Sequence, residues 1–287
     1  MNVQGRDCCI TLKTQYREMG LPYAEETIRE AVSLLKEEAA IEGDGNCGAI
    51  RQSRGVTGCV ITPLGIETAP FLFVLALGRS GLPSHVSGTQ ALYRHTVRLS
   101  AMENGVSFDL IQDRGTLRTL YEGCRVRDFE LRIMHGEAVK LKLDIAGDYP
   151  PVSYPNPNRL TVLEGERFKA DGVTYRINGK DYKNIYGLTI ATRKQGGTQT
   201  EVRIHRVLNT SMQLLPIIET LEITAQLLQD KHEHRLYGMF RINLTRLVLV
   251  SDETIIESGD AVIGPIRYYC AGTFSVDTYS TSEDSIQ

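Results

Sequence analysis

Between Tyr121 and Asp148 the chain alternates apolar and charged residues with a period of two. Phe129, Leu131 and Ile133 fall on one face, and after Met134-His135-Gly136 that face resumes with Val139, Leu141, Leu143 and Ile145. The other face holds Asp128, Glu130 and Arg132, then Lys140, Lys142 and Asp144. This period predicts two antiparallel strands closed by a tight turn. A hairpin apolar on one side and charged on the other belongs to a sheet with one face on a core and one in water. A second hairpin is expected over Tyr182 to Leu208, where Tyr186, Leu188 and Ile190 alternate with Gly187, Thr189 and Ala191. Beyond the Gln195-Gly196-Gly197 turn, Val202 and Ile204 alternate with Glu201, Arg203 and His205. Both hairpins follow a tyrosine and return on a strand of mixed charge, so the chain reads as internally duplicated.

The remaining pattern is strand-rich. Leu21 to Ala40 is the best helix candidate: Pro22 suits a first turn, Glu25 and Glu26 suit the positive end, and Ile28, Val32, Leu35 and Ala39 recur at helical spacing. Gly55 to Leu64 reads as a strand, and Glu67 to Leu77 as a short buried helix against the first hairpin. Further strands are expected at Tyr93 to Ser100, Val106 to Ile111, Gly172 to Ile177, Thr220 to Leu228, Tyr237 to Val250 and Pro265 to Asp277. Asp148 to Asn158 holds four prolines, which exclude a helix or a central strand there and suggest a linker. The expectation is a mainly β (α+β) chain.

Composition narrows the classes. The 287 residues, 41% of them hydrophobic, suffice for one large or two ordinary domains. The longest apolar run, Ala69 to Leu77, is too short for a membrane span, and no secretory signal is evident, so a cytosolic chain is expected. Six cysteines without a Cys-x-x-Cys spacing suggest free thiols rather than zinc or a disulfide framework. A net charge of −3, spread along the chain, leaves no electrostatic footprint of a nucleic-acid binder.

Candidate chemistry is sparse. His232 and His234 lie among charged residues in an expected polar turn, Cys8-Cys9 has only Arg6 as a basic neighbour, and Arg51 and Arg54 read as ordinary surface. No nucleophile elbow, phosphate-binding loop or His-Glu-x-x-His stands in the chain. No enzyme activity, cofactor or metal is expected. The rival, a β-barrel hydrolase using Asp113, His95 or His135, lacks a nucleophile and base in a motif.

Several segments in order resemble the tail tube proteins of tailed bacteriophages and prophages. These are Ala49 to Leu64, the compact apolar stretch Ala69 to Gly78, the strand Tyr93 to Leu99, and Tyr121-Glu122-Gly123-Cys124-Arg125-Val126 opening the first hairpin. The resemblance covers residues 40 to 147 well, and the second half more loosely through Gly179 to Leu208 and Leu221 to Gln229. It implies stacked rings whose hairpins join into a β-barrel around a lumen for DNA or ejected proteins. Tubes of contractile injection systems and type VI secretion share that fold and are the alternative reading.

On this resemblance the chain comprises a helical arm (1–40), a first tube-like β-barrel or sandwich domain (41–149), a proline-rich linker (150–157) and a second such domain (158–287). The lumen-facing set is then Asp128, Glu130, Arg132, Lys140, Lys142, Asp144, Thr189, Ala191, Glu201, Arg203 and His205. The core set is Phe129, Leu131, Ile133, Val139, Leu141, Leu143, Ile145, Leu188, Ile190, Val202 and Ile204. Two hairpins per chain suggest a ring of three chains with pseudo-sixfold symmetry, a hexamer being the alternative. Implied partners are the chain itself, tape-measure, terminator and baseplate or tip proteins, and DNA that passes without specific binding, with no membrane. The implied location is the virion tail, assembled in the host cytoplasm. Lumens of this family are often acidic, whereas the six polar residues of the first hairpin cancel to zero, which suggests a mixed wall or a register shifted by one.

Overall fold

The computed structural model describes residues 8–21, 25–36, 49–78, 80–87, 92–101, 104–114, 117–155, 162, 165–194, 196–207, 215–230, 235–252 and 263–280. In chain order the elements are β1 (Cys8–Lys13), β2 (Glu18–Leu21), β3 (Glu25–Glu26), β4 (Arg29–Lys36), β5 (Ala49–Pro63), α1 (Ala69–Leu77), β6 (Ser84–His85), β7 (Tyr93–Arg98), β8 (Phe108–Arg114), β9 (Leu117–Met134) and β10 (Lys140–Gly147). They continue with β11 (Val152–Pro155), β12 (Val173–Ile177), β13 (Lys180–Tyr182), β14 (Ile185–Arg193), β15 (Gln199–Val207), β16 (Ile217–Asp230), β17 (Arg235–Asp252), β18 (Ile263–Cys270) and β19 (Phe274–Ser280). The chain is mostly β, its pairing is antiparallel, and the sheet is not closed into a barrel.

Both expected hairpins form, β9–β10 and β14–β15, and they lie side by side because β9 pairs directly with β14. The main sheet runs β5–β10–β9–β14–β15–β18–β17–β16–β12–β13. Beside β5 lie β3 and β4, while β19, β7 and β6 continue from the first half of β17. The first half of β9 belongs to a smaller sheet, β2–β1–β8–β9–β11. Strands of the two sequence halves therefore interlock at β9–β14 and β7–β19. One hydrophobic cluster, from Ile10 to Val276, runs through both halves.

The helix α1 is buried at all nine positions, as an all-apolar helix must be. Thr68 Oγ1 accepts from Gly65 N at 3.0 Å where the chain turns in, and Gly78 N donates to Val74 O at 2.9 Å where it leaves. Its neighbours are β7, β9 and β19, so it closes the core behind the first hairpin.

The helix expected over Leu21 to Ala40 is not formed. Leu21 pairs with Ile10 in β1, and Arg29–Lys36 pairs with β5; residues 22–24 and 37–40 lie outside the described residues. The spacing of Ile28, Val32 and Leu35 also fits a strand with a bulge, which the ladder shows between Glu30 and Val32. Long-range pairing with β5 outweighs the modest local helix preference. Glu26 caps no helix: its carboxylate accepts from Ile28 N at 2.8 Å and from Gln112 Nε2 at 2.7 Å. Of the segment expected as an arm, β1 and β2 are built into the smaller sheet, with Ile10, Leu12, Met19 and Leu21 in the core, and β3 and β4 into the main sheet beside β5. Within the expected linker, Val152–Pro155 adds to β9 as a strand whose other edge has no partner among the described residues, a place where proline is tolerated.

Candidate functional site: the charged face of the paired hairpins

Registers across β10, β9, β14 and β15 fix which side chains share a face. One row reads Leu141, Leu131, Ile190, Val202 and, on β18, Tyr268, all at or below 1% exposure. Phe129, Ile133, Val139, Leu143, Ile145, Leu188 and Ile204 lie in the same buried layer. Rings stack across it, Phe129 against Phe274 at 6.0 Å.

The opposite face carries the charges in rows. Nearest the β9–β10 turn, His205 faces Gly187. The next row is Lys140, Arg132, Thr189, Arg203 and Arg267. Then come Lys142, Glu130, Ala191, Glu201 and Tyr269, and last Asp144, Asp128, Arg193 and Gln199. The eleven residues expected to line a lumen therefore all fall on this one face. Thr189 differs in exposure: between Arg132 and Arg203 it keeps only 7% of its surface.

Two carboxylates each hold two cations. Glu137 receives Arg132 Nη2 at 3.4 Å and Lys140 Nζ at 3.0 Å; Glu201 receives Arg267 Nη2 at 2.7 Å and the Arg203 guanidinium. The hydrogen bond from Lys140 holds the Glu137 carboxyl below its ordinary range, and the one from Arg267 does the same for Glu201. Burial first, and then Arg132 and Arg203, pull the His205 imidazole down. Lys142 pairs with Asp144 at 3.3 Å; burial opposes its charge, but the neighbouring carboxylate prevails and raises its pKa.

Lys194, which follows β14, points the other way. It is 4% exposed, its Nζ has no hydrogen-bond partner, and burial pushes its pKa down to about 8 against the opposing pull of Asp128.

Sequence reasoning missed Arg193, Arg267 and Tyr269 on the charged face. The alternation Ile266, Arg267, Tyr268, Tyr269 carried the signal, but only the β15–β18 register attaches it to the hairpins. The hydrolase candidates are held on separate elements. Asp113 in β8 pairs with Arg118 at 3.4 Å, His95 in β7 is fully buried opposite Thr278, and His135 in the β9–β10 turn bonds Asp171 at 3.0 Å. His232 and His234 lie outside the described residues, as does the side chain of Cys8. Among the described residues no group of three metal-ligating side chains assembles, and Cys9, Cys59, Cys124 and Cys270 are free thiols. No protein-family model matches the chain, and no characterised protein matches it.

Proposed function

We propose that the chain is a structural subunit of a phage-type tail tube, self-assembling into stacked rings around an aqueous lumen. The observation that carries this is the main sheet itself: two hairpins from distant parts of the chain sit edge to edge. Together they present one continuous charged face over one continuous apolar layer. A hydrated wall of that kind suits passage of a polyanion better than capture of a small molecule.

The in-chain neighbours of the hairpins refine the ring. Because β5 flanks β10 and β18 flanks β15, each chain offers a span of six strands from β5 to β18. Neighbouring chains attach at edges that lack a second partner among the described residues, of which β4 is the longest. In-chain cover of the hairpin edges thus departs from the expectation that hairpins of neighbouring chains join directly.

Native mass spectrometry of the concentrated chain tests the proposal. Closed species at three chains of 32.0 kDa, about 96 kDa, and multiples of that mass are expected. A chain that stays monomeric at every concentration would contradict it.

A further inference from the structure

The charges on the hairpin face are sorted rather than mixed. Lys140, Arg132, Arg203 and Arg267 occupy one row across β10, β9, β15 and β18, with only Thr189 between them. The next two rows on the side away from the turn each combine two carboxylates with one cation: Lys142 with Glu130 and Glu201, then Arg193 with Asp128 and Asp144. Glu137 bridges Arg132 and Lys140, and Glu201, which itself stands in the next row, bridges Arg203 and Arg267, so four cations meet two shared carboxylates. Burial is the larger cause of the lowered His205 pKa, and Arg132 and Arg203 add to it by disfavouring its protonation.

We infer that this row is a contact line for the phosphates of a nucleic-acid duplex, read without regard to base sequence. The inference rests on the tube reading for its biological setting, where the row would form a basic belt around the lumen. Charge complementarity selects a polyanion. Three of the four cations are arginines, whose planar forks suit phosphate oxygens and stay charged at every physiological pH. Across five strands the row extends about 19 Å, comparable with the width of a duplex. Four cations that share two carboxylates make the contact weak and salt-sensitive, which holds a duplex centred without stopping its passage.

The test uses the soluble, unassembled chain and a fluorescent mixed-sequence DNA duplex, with anisotropy measured from low salt upward. Binding should weaken with salt at a logarithmic slope of about −2, as expected for two neutralised phosphates. Replacing both arginines, Arg132→Gln with Arg203→Gln, should reduce affinity at least about tenfold and flatten the slope towards zero. The charge-preserving pair Arg132→Lys with Arg203→Lys should keep most of the binding, and Glu130→Gln should not weaken it. Both arginines are well exposed, at 51% and 43%, so folding, checked by circular dichroism, should survive. Should the glutamine pair fail to fold, Arg267→Gln alone should still lower the slope by about one. Unchanged duplex binding in these variants overturns the inference. So does equal or tighter binding of polyglutamate, which would mark the row as a site for an acidic protein segment. The assay needs no rings, so tubes that assemble from a chain without this binding would refute the belt and leave the tube standing. Binding by a chain that never assembles would do the reverse.

Discussion

Truncating Leu131 to alanine probes the layer on which the whole reading depends. Leu131 is 1% exposed in the middle of β9, with Leu141 opposite it on β10 and Ile190 opposite it on β14. Both neighbouring strands are fixed on their far sides, by β5 and β15, so the walls of the vacated space cannot collapse far. Large-to-small core substitutions cost about 2–5 kcal/mol, and this site belongs in the upper half of that range because relaxation is restricted. That is a large share of the roughly 5–15 kcal/mol by which domains are stable. One residue away, Glu130→Gln on the charged face should change stability by no more than about 0.5 kcal/mol. Urea unfolding followed by circular dichroism reads both: the midpoint should fall sharply for Leu131→Ala with little change in slope, and stay in place for Glu130→Gln. Equal midpoints for the two variants would show that the inward and outward faces are wrongly assigned.

Three further outcomes follow from particular contacts. A methyl group on Gly187 would stand 2.5 Å from Met134 Sδ and 2.9 Å from Ile133 O, so Gly187→Ala should cost about 1–3 kcal/mol by urea unfolding and loosen the β9–β14 junction. Lys194 carries a folded-state pKa of about 8, below its unfolded value, so the unfolded chain binds the extra proton between about pH 8 and 10.4. The stability of the wild type relative to Lys194→Met should therefore rise with pH across that window, the charging penalty being fully present below it, while the burial-raised thiols Cys124 and Cys270 pull both chains the other way; at pH 7 Lys194→Met should be the more stable. Leu141→Asp places an unpaired carboxylate at a position with no exposure and should yield no folded chain by circular dichroism, whereas Lys142→Gln on the other face should fold normally.

Much of this was legible in sequence where the signal is local. The alternation through Phe129, Leu131 and Ile133 depends only on the pleat of one strand, and Gly136 and Gly196, at φ of +77° each, mark the turns directly. The apolar run of α1 between Gly65 and Gly78 was equally plain. The stretch from Leu21 was not, because three apolar residues at spacings of three and four fit either a helix or a bulged strand. The decision lay with β5, whose paired residues are from 13 (Lys36 to Ala49) to 28 (Arg29 to Thr57) positions away in sequence. The sorting of charge into rows was hidden for the same reason. Arg132 meets Thr189 and Arg203 meets Arg267 only through the β9–β14 and β15–β18 registers, and no local pattern encodes them. What looked like a wall of cancelling charge is therefore a basic row beside two mildly acidic ones.

The central claim, that this charged face lines a lumen, is tested most directly by an electron-microscopic reconstruction of self-assembled particles at a resolution that separates strands. The account predicts hollow stacked rings of three chains, with Arg132, Lys140, Arg203 and Arg267 on the inner wall and α1 outside it. Particles without a lumen, or with this face turned to the outside, would contradict it.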